Sequence, residues 1–78
     1  MNANILSSKT NQEILGFLCE HPNDSFYSSQ IAQKTGLSIG GVNQALRILK
    51  KNNLLKADIK GRMTFYQADT SSPIIRQF

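Results

Sequence analysis

The sequence predicts a small α+β domain that is mainly α-helical, with three helices followed by a two-stranded β-hairpin. The 78-residue chain has room for one domain. Apolar residues recur at helical spacing before residue 52, whereas two short strand-like runs flank a glycine after residue 54. We therefore expect a single domain over residues 1–78.

The first helix is predicted at about residues 8–20, from an apolar stripe at residues 14–18. Thr10 and Glu13 have the spacing of a capping box, which makes Thr10 the expected N-cap residue. The Ser7–Ser8 pair is the alternative, and it would start the helix one turn earlier. Pro22 ends the helix, because a residue that precedes proline avoids the helical conformation.

A second, short helix and a third, longer helix are predicted on either side of a tight turn. Ser28 is the expected N-cap of the second helix, and Gly36 stands where a left-handed residue ends it. Leu37 is an apolar turn residue, and Ser38 is the expected N-cap of a helix at about residues 39–52. The buried stripe of this third helix is formed by Val42, Ala45, Leu46 and Leu49.

The hairpin is predicted at about residues 54–69, with strands at 54–59 and 63–68. Lys60, Gly61 and Arg62 lie between the strands and form a basic tip with a glycine turn. Residues 25–27 are expected to pair as a very short third strand. A C-terminal helical turn is predicted after Ser72, with apolar positions at Ile74, Ile75 and Phe78.

The positive charge of the chain is concentrated in its second half. The formal net charge is +4, made up of −1 over residues 1–38 and +5 over residues 39–78. A clustered basic surface attracts polyanions, although a solvated face that maintains solubility is the alternative interpretation. No apolar run approaches the roughly 18 residues of a membrane span, and no signal peptide is evident, so we expect a cytoplasmic protein.

The sequence indicates neither an enzyme nor a metal or cofactor site. Cys19 and His21 are the only cysteine and histidine, and a metal site needs about three or four ligands. The serines are interpreted as helix caps, because nothing evident orients His21 as their base. Cys19 is expected to be a half-buried small apolar residue.

The stretch from Ser28 to Ser38, with the apolar positions that follow it to Leu55, resembles winged helix-turn-helix transcription regulators of bacteria and archaea. The chain is similar to the ArsR and MarR repressor types, and the resemblance covers about residues 6–78. It implies a homodimer that binds double-stranded DNA, with helix 3 in the major groove. The hairpin, or wing, would contact the backbone or the minor groove.

The residues expected to contact DNA follow from this resemblance and from the helical wheel around Val42. Asn and Gln side chains can read adenine, and Arg can read guanine or bind phosphate. Backbone N–H groups at helix N-termini can bind phosphate, as can cations on the wing. The expected set is Ser28, Ser29, Ser38, Gly40, Gly41, Asn43, Gln44, Arg47, Lys51, Lys60 and Arg62.

The start of helix 3 departs from the pattern of these regulators, which usually have polar residues there. Gly40 and Gly41 follow Ile39 and either weaken the first helical turn or let the backbone approach DNA closely. Lys50 and Lys51 either contact DNA or simply form a solvated face of the helix.

Two other functions stay open: a protein-interaction module, and an accessory subunit of a larger assembly such as a nucleotidyltransferase system. A neutral, apolar helix 3 face would favour the interaction module.

Overall fold

The computed structural model describes residues 8–73 and residue 75. It confirms a mainly helical α+β fold. The helices are Lys9–Glu20 (α1), Ser28–Thr35 (α2) and Ile39–Lys51 (α3), and the strands are Leu55–Lys60 (β1) and Met63–Ala68 (β2). None of the described helices is both long and apolar enough to cross a membrane.

The N-cap of α1 is Ser8, so the prediction of Thr10 as the cap is wrong and its alternative is correct. The Ser8 hydroxyl accepts the Asn11 backbone N–H at 3.3 Å, and Thr10 lies inside the first helical turn. Because the cap must precede the first helical residue, the earlier serine takes the role once the helix extends back to Lys9.

The N-cap of α2 is Tyr27 rather than Ser28, which is the first residue of the helix. The Tyr27 backbone N–H donates to the side-chain carbonyl of Gln30 at 3.1 Å. The preceding residue, Phe26, forms an antiparallel bridge to Tyr66, which holds the chain extended up to Tyr27. This tertiary pairing sets the point at which the helix begins.

The turn between α2 and α3 has the predicted chemistry. Gly36 is left-handed (φ 76°), and its N–H donates to the Ala32 carbonyl at 2.9 Å. Leu37 is half-buried and packs against the core. The Ser38 hydroxyl accepts the Gly41 N–H at 3.1 Å, so Ser38 is confirmed as the N-cap of α3.

The core lies between the three helices and the base of the hairpin, and it includes the predicted stripe of α3. Ile75 is helical, only 8% exposed and part of this core. The sequence predicts two candidate dimer surfaces, α1 or the apolar segment Ile74, Ile75 and Phe78, but Ile75 is buried in this core and does not form an exposed surface. Ile74 and Phe78 lie outside the described residues.

The two strands pair antiparallel, in a register that runs from Leu55 opposite Ala68 to Lys60 opposite Met63. Lys60 is therefore the last residue of β1 and not a turn residue, which corrects its predicted place. The turn itself has two residues, and Gly61 adopts the positive φ (63°) that such turns require. Residues 25–27 do not form a third strand, because Phe26 alone pairs, through an isolated antiparallel bridge to Tyr66.

Candidate nucleic-acid interface

One face of α3 is buried and the other is exposed, which places the predicted reading residues on the surface. Val42 and Leu46 are at most 1% exposed and anchor the helix in the core. Asn43, Gln44 and Arg47 are exposed, as are Gly40, Lys50 and Lys51. This helix contains no acidic residue, so its exposed charges are all positive.

The two glycines at the start of α3 have different environments. Gly40 is exposed, and a Cβ atom built on it has nothing within 4 Å outside its local backbone. Gly41 is half-buried, and a Cβ there would lie 3.1 Å from the Ser38 hydroxyl oxygen and 3.9 Å from the Thr10 methyl. Gly41 therefore leaves room for the Ser38 cap, whereas Gly40 leaves the helix surface open.

A shallow groove lies between α3 and the hairpin. Its volume is about 470 Å³, and three cations contribute to its lining, with no carboxylate among the described residues. Its lining consists of Asn43, Leu46, Arg47, Lys50, Lys51 and Tyr66. Leu46, Lys50 and Tyr66 are not among the contact residues expected from the sequence. Strand alternation could have indicated Tyr66, because it shares a hairpin face with the buried Leu55 and Ala68.

The two predicted wing cations differ in their surroundings. The Lys60 ammonium lies 4.0 Å from the Asp58 carboxylate and 5.3 Å from the centre of the Phe65 ring. These side chains share the hairpin face opposite Tyr66. Arg62 is exposed in the turn itself. Arg62 is therefore the cation at the extreme tip, while Lys60 has a neighbouring carboxylate.

The three predicted serines lie at helix starts. Ser28 and Ser29 occupy the first turn of α2, where backbone N–H groups lack partners within the helix. The Ser38 hydroxyl is already engaged as the cap of α3. In that cap the hydroxyl oxygen accepts, so the exposed O–H of Ser38 can still donate to a phosphate oxygen.

Cys19 and His21 form parts of the fold and not a metal cluster. Cys19 is half-buried against the core, and this burial raises the pKa of its thiol above the usual value. The His21 ring lies 5.0 Å from the Phe17 ring and 5.8 Å from the Phe26 ring. Within residues 8–73 and 75, no group of three or more His, Cys, Asp or Glu is placed to hold a metal ion.

Solved structures with the same architecture identify the fold. The structure matches a possible transcriptional regulator from Methanosarcina mazei with a TM-score of 0.83, at 12% identity, over 95% of this chain and 69% of that one. It matches the transcriptional repressor BigR from Xylella fastidiosa with a TM-score of 0.78, at 18% identity, over 95% of this chain and 70% of the repressor.

A third match carries the name of the architecture. It is the homodimeric winged helix-turn-helix DNA-binding domain of a possible ArsR-family regulator from Mycobacterium bovis. The TM-score is 0.73 at 20% identity, over 95% of this chain and 64% of that one. The fold is a winged helix-turn-helix. In sequence comparisons, no protein-family model matches this chain, and no curated protein matches it.

The winged helix-turn-helix brings most of the predicted residues into two places. The helix-turn-helix consists of α2, the Gly36 turn and α3, and it presents Asn43, Gln44 and Arg47 on one exposed face. The wing is the hairpin of β1 and β2, with Arg62 at its tip. The groove between α3 and the hairpin adds Leu46, Lys50 and Tyr66 to the site.

Proposed function

We propose that this chain binds double-stranded DNA as a transcriptional regulator, with α3 in the major groove and the wing on the backbone or minor groove. The observation that carries the proposal is the groove between α3 and the wing. Arg47, Lys50 and Lys51 line it, and no carboxylate does so among the described residues. Such a surface releases counterions from a phosphate backbone when it binds.

The dimensions of α3 suit this placement. A helix with its side chains is about 10–12 Å wide, and the major groove of B-DNA is about 12 Å wide. Asn43 and Gln44 are exposed amides that can pair with an adenine edge, and Arg47 can pair with guanine or a phosphate. These three side chains are the proposed readers of sequence.

The wing supplies contacts that position the domain. Arg62 is proposed to bind phosphate or enter the minor groove, since it is exposed at the two-residue turn. Lys60 is proposed as a weaker contact, because Asp58 lies 4.0 Å away and offsets its charge. The first turns of α2 and α3 are proposed to approach the phosphates through backbone N–H groups.

The charge of α3 favours DNA over a protein partner. An interaction module would be favoured by a neutral, apolar α3 face, but this face carries Arg47, Lys50 and Lys51 with no acidic residue in the helix. We also propose a homodimer, since a single small module gives limited affinity for an operator. Sedimentation of the purified chain tests that state directly.

The test is the salt dependence of DNA binding. A labelled duplex of random sequence, about 21 base pairs long, covers two helical turns. Fluorescence anisotropy then gives the affinity between about 50 mM and about 200 mM salt. We expect steep salt dependence, and each variant Arg47→Ala and Lys50→Ala should reduce the slope by about 0.9.

Lys56→Ala is the matched control. Lys56 is exposed on the hairpin face opposite Tyr66, about 13 Å from the end of β1. The variant Lys56→Ala removes one positive charge, as Arg47→Ala and Lys50→Ala do. An effect of net charge alone would therefore change the salt dependence of all three variants equally. We expect its slope to stay close to that of the unmodified protein. Absence of binding at the lowest salt would refute the proposed function.

A further inference from the structure

The base-reading end of α3 carries an exposed apolar side chain. Ile39, the first residue of α3, is 47% exposed. The next residue is Gly40, which is also exposed and has open space around its missing Cβ. The other large apolar side chains that are exposed in the described chain, Ile59 and Met63, lie on the hairpin. Ile39 is thus an isolated apolar contact surface on α3.

Ile39 borders the buried stripe of α3, but the cap of the helix does not require an isoleucine there. Ser38 already caps the helix, so residue 39 has no capping role. A β-branched residue has a lower helix propensity than alanine, and an acidic residue would interact better with the helix dipole. The exposed 47% of Ile39 stays in water in the free protein, and a partner that covers the start of α3 would bury it.

The position of Ile39 identifies the chemistry of that partner. In helix-turn-helix domains, the N-terminal residues of the second helix contact base edges. Asn43 lies one turn further along the same edge of α3, about 6 Å away along the axis. Base pairs are about 3.4 Å apart, so the two side chains would face base pairs within two steps of each other. The apolar group that a base displays in the major groove is the C5-methyl of thymine.

We propose that Ile39 reads a thymine by packing against its C5-methyl group, next to the base pair that Asn43 reads. The missing side chain at Gly40 lets the helix surface come close enough for this contact. The inference rests on the proposed function, because it requires α3 to lie in the major groove. The contact gives the protein a preference for thymine at a base pair that none of its proposed hydrogen bonds would distinguish.

The experiment removes the methyl group from the DNA. Duplexes that bind the purified protein are selected from a random-sequence pool, and the enriched duplex is then made with deoxyuridine in place of each thymidine in turn. We expect one or two positions at which this change weakens binding about fourfold, the value for one buried methyl. In Ile39→Ala the same change should have no effect, while Ile39→Val, which keeps a branched apolar side chain, should retain sensitivity.

Ile59→Ala is the matched control. Ile59 is 74% exposed on β1, so this variant removes an even more accessible isoleucine from outside α3. It should keep the full effect of deoxyuridine. Circular dichroism of each variant checks that the fold is intact, and alanine at the first helical position is well tolerated.

The outcomes separate the inference from the proposed function. Selection of a sequence whose binding is insensitive to deoxyuridine, or equal sensitivity in Ile39→Ala, overturns the thymine contact and leaves DNA binding in place. Binding without any sequence preference does the same. Failure to bind any duplex at low salt refutes the proposed function, and with it the inference.

Discussion

The two adjacent glycines of α3 lead to opposite expectations for the same substitution. Gly40→Ala adds a methyl group to an exposed helical position where nothing lies within 4 Å. Gly41→Ala adds the same group 3.1 Å from the Ser38 hydroxyl oxygen. Both variants gain the same intrinsic helix propensity, so the difference between them isolates the tertiary environment.

The magnitude follows from that geometry. Replacing glycine by alanine in a helix stabilises it by roughly 0.5–1 kcal/mol. At Gly41 the hydroxyl must move away from the new methyl group, which weakens the 3.1 Å bond that caps α3. Loss of a serine cap costs about 1 kcal/mol. We therefore expect Gly40→Ala to be stabilising and Gly41→Ala to be neutral or destabilising, with a difference of about 1 kcal/mol.

Thermal and urea unfolding, followed by circular dichroism, measure this difference. A change of 1 kcal/mol corresponds to roughly 4–8 °C in the melting temperature of a domain of this size. Equal stabilisation by the two variants would refute the argument that Gly41 is required by the cap. Ser38→Ala combined with Gly41→Ala is the control, because without the hydroxyl the methyl group should become stabilising.

Three further predictions concern the wing, the core and the side-chain carboxylate of Asp69. Asp58→Asn removes the negative charge beside Lys60 and should tighten DNA binding about twofold, since a charge 10 Å from a phosphate is worth about 0.4 kcal/mol in water. Leu46→Ala leaves a cavity at a fully buried position and should lower the free energy of unfolding by about 2–5 kcal/mol in urea titrations. The Ser71 hydroxyl and backbone N–H donate to Asp69 and lower the pKa of its carboxyl group. Ser71→Ala should therefore raise that pKa toward its usual 3.8 in an NMR titration.

Each of these has a defined contradicting result. Unchanged affinity in Asp58→Asn at low salt would mean that this part of the wing does not approach phosphate. A loss below about 1 kcal/mol in Leu46→Ala would mean that the core is less tightly packed than the structure indicates. Because the pKa of Asp69 is lowered on folding, its stabilisation is present above the unfolded pKa and is lost as pH falls through the folded value. If the free energy of unfolding falls equally with decreasing pH in the unmodified protein and in Ser71→Ala, the proposed contribution of Asp69 is contradicted.

Local sequence signals were sufficient where a structural requirement is met by one residue and its near neighbours. The left-handed Gly36, the Ser38 cap and the positive φ of Gly61 were predicted because each residue type answers a backbone requirement of its own turn. The buried stripe of α3 around Val42 followed from its period in the same way. These local signals predict the order of helices and hairpin, and hence the fold.

Helix starts and side-chain roles depended on contacts between distant parts of the chain. Tyr27 rather than Ser28 caps α2, because the bridge between Phe26 and Tyr66 holds the chain extended across about forty residues of sequence. The sequence could not distinguish the roles of Gly40 and Gly41, because both are glycines in the same helical turn. Only their surroundings differ, since Gly41 lies near Thr10 and the Ser38 cap.

The candidate site shows the same division. The sequence by itself determined which side of α3 is exposed and that this side is basic, because amphipathic periodicity and residue charge are local properties. Only the tertiary structure decided that Tyr66 joins Lys50 in one groove, and that Lys60 lies near the Phe65 ring of the neighbouring strand. Those arrangements depend on how the hairpin packs beside α3 and on its strand register, which are set by the whole core and not by any one segment.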